Sequence, residues 1–282
     1  MKNFWIRTAS AAAYAILFVG SIYSGRLMGN LNAGVLIFTA FLMFVAMGGT
    51  FEFFRMVSLQ GASPCKPLGY ALSAAMLMVL ASQALQDFVQ FRISIIFCGM
   101  AFLPMAFAIV LMVQLWRHSE HPFGDAAYTV VPAFYVALPL GLMPTMHTDF
   151  NVLMMVIVMS WVNDCFAYMG GSLFGRHKMW TRHSPGKTWE GTACGFLFCV
   201  LAGVFLGPLF DTKLSVFDWA VLGVICSVIG TLGDLAESML KRSVGLKDSG
   251  SIMPGHGGFL DRFDSLLMIM PFVYVYLVFA LG

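Results

Sequence analysis

The chain has 282 residues, 59% of them hydrophobic and only 11% charged, with a net charge of +2. A water-soluble domain carries about 25% charged residues, so a mean hydropathy of +0.83 excludes an ordinary soluble fold. The small net charge implies no bulk polyanion partner such as nucleic acid, and six cysteines without a C-x-x-C pair support neither a disulfide framework nor a zinc cluster.

Lipid is the solvent that tolerates this composition. A spanning helix needs about 20 mostly apolar residues, whereas a barrel strand alternates over about 10. The apolar runs here are continuous, which predicts an all-α, polytopic integral membrane protein with about nine transmembrane helices. In chain order they cover about residues 6–23, 31–51, 68–85, 93–116, 126–142, 151–169, 189–210, 216–233 and 265–281. The first has the Lys2 and Arg7 start of a signal peptide but reads as an uncleaved span. The fifth carries Pro132 and Pro139, which spans tolerate when neighbouring helices satisfy the backbone. Glu52 and Arg55 close the second span and read as its anchors, and His118, His121 and His147 lack ligand spacing.

Basic residues set the orientation. With the N-terminus cytoplasmic, thirteen of the 16 Lys and Arg residues fall inside, and only Arg26, Arg92 and Lys213 fall outside. The chain then divides into N-terminal helices over 1–145 and a C-terminal region over 146–282. Two cytoplasmic segments, 170–190 and 230–264, hold most of the polar chemistry.

Three groups in the C-terminal region point to a site. Asn163 and Asp164 lie within the sixth span, where an ionisable group costs about 3 kcal/mol and usually faces a cavity or bundle interior. Asp234, Glu237 and Lys241 are spaced i, i+3, i+7, on one face of a helix with Ser238 and Arg242 alongside. Past Gly245, Lys247 and Asp248 lead into a Gly/Pro turn with His256. Asp261 and Asp264 follow at i, i+3. Carboxylates on rigid elements suit a hard cation such as Mg2+, and neighbouring Lys and Arg suit phosphate oxygens, so the pattern reads as a metal–polyphosphate site. The third group, GRHKMWTRHSPGKTWEG from Gly175 to Gly191, is basic and offers Ser184, Lys187 and Thr188. Its Gly186-Lys187-Thr188 is not a P-loop, because Thr181 stands where that motif needs glycine and no strand is expected before it.

These residues carry a resemblance. Ser238, Lys241, Arg242, Lys247, Asp248, Pro254, His256, Gly257, Gly258, Asp261, Arg262 and Asp264 match the long spaced signature of the phosphatidate cytidylyltransferases, or CDP-diacylglycerol synthases. Upstream, Asp164, Ala167 and Tyr168, then Phe174-Gly175, Ser184-Pro185 and Lys187 to Gly191 also look like that family. Gly186 stands where the family usually has lysine. The likeness runs from about Asp164 to Ser265; the N-terminal half matches only as hydrophobic spans.

The resemblance implies that CTP and phosphatidic acid give CDP-diacylglycerol and pyrophosphate, with Mg2+ and a second, monovalent cation such as K+. It implies a homodimer in the inner (plasma) membrane with the site facing the cytoplasm. On the matching positions it implies catalytic roles for Asp234, Lys241, Arg242 and Asp261, and metal ligation by Asp234, Asp261 and Asp264. Substrate contacts fall to Asp164, Ser184, Lys187, Thr188, Lys247, Asp248 and His256. A CTP-dependent polyprenol or dolichol kinase, and a transporter using Asn163 and Asp164, are the competing expectations.

Overall fold

The computed structural model describes residues 2–85, 103–117, 119–146, 150–211, 213–250 and 257–281. The chain is an almost entirely helical, multi-pass membrane protein. Among the described residues, six helices are long and apolar enough to cross a membrane, and three shorter apolar helices cover Ala12–Met28, Lys66–Ala81 and Pro104–Trp116. The part of the expected fourth span before residue 103 lies outside the described residues.

The described residues form two compact units. The first, Met1–His147 with Asp248–Asp261, contains α1 (Lys2–Met28), α2 (Leu31–Leu59), α3 (Lys66–Ala81), α4 (Leu103–Trp116), α5 (Pro122–Pro132) and α6 (Leu138–Thr145). Helices α1 and α2 meet where Gly25 and Gly34 leave no room for a side chain, and Phe18 stacks on Phe38. Helices α5 and α6 are one apolar run joined by a π-turn over Ala133–Ala137, the expected fifth span. Pro132 and Pro139 each remove an i to i−4 hydrogen bond, and the wider turn absorbs the gap without breaking the helix. Asp125, buried in the first turn of α5, accepts from Ser63 N at 2.7 Å and Ser119 Oγ at 2.5 Å, tying down the link between α2 and α3.

The second unit, Thr148–Lys247 with Arg262–Gly282, contains α7 (Phe150–Phe174), strands β1 (Lys178–Trp180) and β2 (Ser184–Thr188), α8 (Trp189–Phe210), α9 (Val216–Ser243) and all of α10 (Leu260–Leu281) beyond its first two residues. The antiparallel hairpin is the exception to the all-α expectation. Helix α8 buries only a stripe of small residues at every fourth position: Gly191, Gly195, Cys199, Gly203 and Gly207. In lipid, where apolar side chains gain little by leaving the solvent, such stripes let helix backbones approach closely. A Cβ on Gly195 would stand 2.8 Å from the carbonyl oxygen of Asn163 on α7, and one on Gly223 would stand 2.8 Å from Val200 Cα. The substitution Gly195→Val is therefore expected to force α7 and α8 apart and cost about 2 kcal/mol or more. A thermal-unfolding midpoint in detergent that matches the wild type would contradict this packing.

Helix α9 begins with a reciprocal cap, in which Asp218 N donates to Ser215 Oγ and Ser215 N donates to Asp218 Oδ2 at 2.8 Å. Tyr276 Oη on α10 donates to the other Asp218 oxygen at 2.7 Å. Farther along, a Cβ on Gly233 would meet the carbonyl oxygen of Asp264 at 2.9 Å. That close approach of α9 and α10 sets the acidic residues of the two helices side by side.

Candidate active site

Asp234 and Glu237 occupy one face of α9 and Asp264 faces them from α10. One carboxylate oxygen from each lies within 4.8 Å of the other two. Their charges are offset by two lysines. Lys241 Nζ lies 2.5 Å from Glu237 Oε2, one helical turn away, and this pair is buried, with Glu237 0% and Lys241 9% exposed. Lys187 Nζ, carried on β2, lies 2.6 Å from Asp234 Oδ2 and donates to the carbonyl of Thr231 at 3.3 Å. Ser238 Oγ donates to Asp234 Oδ1 at 3.4 Å and the backbone N–H of Ser265 to Asp264 Oδ1 at 2.6 Å. Three hard oxygen donors from rigid helices fit Mg2+, which prefers carboxylate and water ligands.

Asp234 also lines a cavity of about 300 Å³. Asp164, Ser184, Gly186, Lys187 and Thr188 line it too, together with Tyr168, Thr192 and Thr231. Four of the expected substrate-binding residues, Asp164, Ser184, Lys187 and Thr188, thus share one cavity with an expected metal ligand. The hairpin is what puts them there. Glu190, in the first turn of α8, accepts from the backbone N–H groups of Arg176 at 3.1 Å and His177 at 3.2 Å, and contacts His177 Nδ1 at 2.6 Å. Trp189 N donates to the carbonyl of His177 at 3.0 Å. These bonds close the hairpin base and swing Ser184 and Lys187 back over α9. A strand does precede Gly186-Lys187-Thr188, contrary to the sequence expectation, but it belongs to a hairpin and forms no P-loop cradle. Thr188 has a second task as N-cap of α8, accepting from Gly191 N at 3.2 Å.

Asn163 lines the same cavity. Its Oδ1 accepts from Ser227 Oγ at 2.8 Å and its Nδ2 donates to Thr231 Oγ1 at 3.4 Å, joining α7 to α9. Arg242 is exposed and donates to the carbonyl of Leu246 at 3.3 Å, closing the end of α9. Lys247 and Asp248 are exposed, and His256 lies outside the described residues. Asp261 belongs to the first unit, where its Oδ2 accepts from Ser249 N and Ser249 Oγ at 2.8 Å each and from Gly258 N at 2.7 Å. Glu237 was readable on the face of Asp234 and Lys241, yet only the fold places it among the carboxylates. A separate polar cavity of about 330 Å³ in the first unit, lined by residues including Ser63, Arg117 and Asp125, contains none of the expected site residues.

Among curated proteins, the phosphatidate cytidylyltransferase of Staphylococcus aureus (strain COL) is 39% identical over 175 residues. That of Staphylococcus epidermidis (strain ATCC 12228) is 35% identical over 173 residues, and that of Staphylococcus saprophyticus is 34% identical over 171. In each case the match covers 60% of this chain and 66% of the relative, so the chain spans just under two thirds of the length of the curated relatives it matches. A sequence model of the cytidylyltransferase family matches residues 5–280, essentially the whole chain, and the protein belongs to the cytidylyltransferase family.

Proposed function

We propose that the chain transfers CMP from CTP to phosphatidic acid, giving CDP-diacylglycerol and pyrophosphate. The observation that carries the reading is that Asp234 belongs both to a three-carboxylate group and to a cavity lined by Lys187, Ser184 and Asp164. That combination suits a metal-bound triphosphate. Family membership and the names of the staphylococcal relatives supply the substrates.

In the reaction, an oxygen of the lipid phosphate forms a bond to the α-phosphorus of CTP. The bond from that phosphorus to the α–β bridging oxygen breaks, and pyrophosphate leaves in line with the electron pair. A phosphate monoester dianion needs no enzyme nucleophile, so positioning and charge neutralisation supply the catalysis. Asp234, Glu237 and Asp264 would hold Mg2+, whose role when bound is to neutralise charge building on the departing pyrophosphate. Lys187 leaves Asp234 for a phosphate oxygen as the triphosphate enters. Lys241 keeps Glu237 charge-balanced, so that three acids can stand together. Ser184 and Thr188 present hydroxyls to the same phosphates. Roles for Arg242, Lys247, Asp248 and His256, a metal role for Asp261, and a K+ beside Asp264 rest on the signature alone.

The setting is part of the proposal. In this reading the chain has nine spans, with the N-terminus and both polar segments on the cytoplasmic side of the inner membrane, and the basic-residue asymmetry supports that orientation. Residues 146–282 carry the catalysis, residues 1–145 support it, and the enzyme works as a homodimer.

Purified protein in detergent, given phosphatidic acid and Mg2+ with CTP, ATP, GTP or UTP in turn, is expected to release pyrophosphate with CTP alone. EDTA should stop the release and added Mg2+ restore it. Equal rates with all four nucleotides, or turnover that survives EDTA, would count against the reading.

A further inference from the structure

Glu52 lies near the end of α2, about two hundred residues before the catalytic signature, and is 1% exposed. Its carboxylate faces the segment that leads into α10. Phe259 N donates to Oε1 at 2.9 Å, and Leu260 N and Ser249 Oγ each donate to Oε2 at 2.9 Å. The first turn of any helix leaves backbone N–H groups without intrahelical acceptors, and a side-chain oxygen normally fills the gap from the preceding residue. Here the preceding residue is Phe259, which has no such oxygen. Glu52 supplies it from another helix.

The same carboxylate fixes both ends of the signature turn. A Cβ on Gly250 or on Gly258 would collide with it, so these glycines are what let the chain close around the acid. Gly257 has φ +82, a left-handed conformation suited to glycine, and a Cβ there would collide with Asp261. The Ser249 hydroxyl sits 2.9 Å from Glu52 and 2.8 Å from Asp261 Oδ2. Its single proton serves one acid at a time, and both lie within reach of it.

We propose that Glu52 is a positioning residue for the reaction. It caps α10 and clamps Ser249 to Leu260, and thereby fixes Asp261 at the head of the helix that carries Asp264. The proposal deepens the CTP-dependent reading and rests on it for its kinetic consequence; the clamp itself does not.

The test compares wild type with Glu52→Gln and Ser249→Ala in detergent, by hydrogen–deuterium exchange without nucleotide or metal and by steady-state kinetics. Glutamine puts an amide donor where the clamp needs an acceptor. Exchange in peptides covering residues 257–263 is expected to rise at least about tenfold in Glu52→Gln, with the other spans unchanged, as lost buried hydrogen bonds open a local unit. The kcat is expected to fall about 100-fold, the Mg2+ concentration for half-maximal rate to rise about tenfold, and the KM for CTP to stay within about threefold. Ser249→Ala should move the same quantities in the same direction by less. Should Glu52→Gln fail to fold, Ser249→Ala decides alone. Unchanged exchange in 257–263, or a folded variant with wild-type kcat and Mg2+ dependence, would overturn the proposal. A wild type that makes no CDP-diacylglycerol, with exchange still raised in Glu52→Gln, would sink the substrate reading while leaving the clamp intact.

Discussion

Asp234→Asn is expected to lower turnover about 1000-fold while the protein stays folded and membrane-inserted. Among the described residues, Asp234 alone is shared by the carboxylate group and the polar cavity. Asparagine keeps the shape and the contact with Ser238, but it removes a negative charge that Lys187 faces and that a divalent cation would need. Losing an electrostatic contact to developing charge costs about 4 kcal/mol of transition-state stabilisation, and each 1.36 kcal/mol is tenfold in rate. Initial rates at saturating CTP, taken beside a thermal melt, check this. A variant with wild-type melting and a rate within tenfold of normal would remove Asp234 from the chemistry.

Lys241→Met is expected to damage stability first. Glu237 is buried in the protein, and Lys241 sits against it with little exposure. Removing one partner of a buried pair strands the other charge and costs about 3–5 kcal/mol. The double variant Lys241→Met with Glu237→Gln removes both charges and should recover much of that loss. It should not recover activity, since it lacks a carboxylate of the candidate metal group. Melting midpoints of the two single variants and the double variant form the cycle that checks this. If the double variant is as unstable as Lys241→Met, the pair is not what holds this part of α9.

Much of the fold was legible because lipid imposes a strong rule. A run of about 20 apolar residues has few alternatives to a spanning helix, and even the proline-bearing run stays continuous as Pro122–Thr145. The hairpin was not legible. Its segment, GRHKMWTRHSPGKT, shows no alternation, and it folds because Glu190 and Trp189 grip His177. Asp164, Asp234 and the trio Ser184, Lys187 and Thr188 were read as three separate groups that only the family resemblance joined, and the structure lines one cavity with them. Glu237 was readable only as a helix neighbour, because its part in the cluster depends on how closely Gly233 lets α10 approach α9. Glu52 was read as an anchor for its own span. Its partners lie at Ser249, Phe259 and Leu260, and contacts over such separations leave no trace in local periodicity.

The most direct test follows the label. The purified protein is incubated with phosphatidic acid, Mg2+ and CTP labelled at either the α- or the γ-phosphorus. If the chain is a phosphatidate cytidylyltransferase, the α-label passes to the lipid as CDP-diacylglycerol and the γ-label leaves in pyrophosphate. A lipid that takes up the γ-label, with CDP released, would make the protein a CTP-dependent lipid kinase and contradict the account.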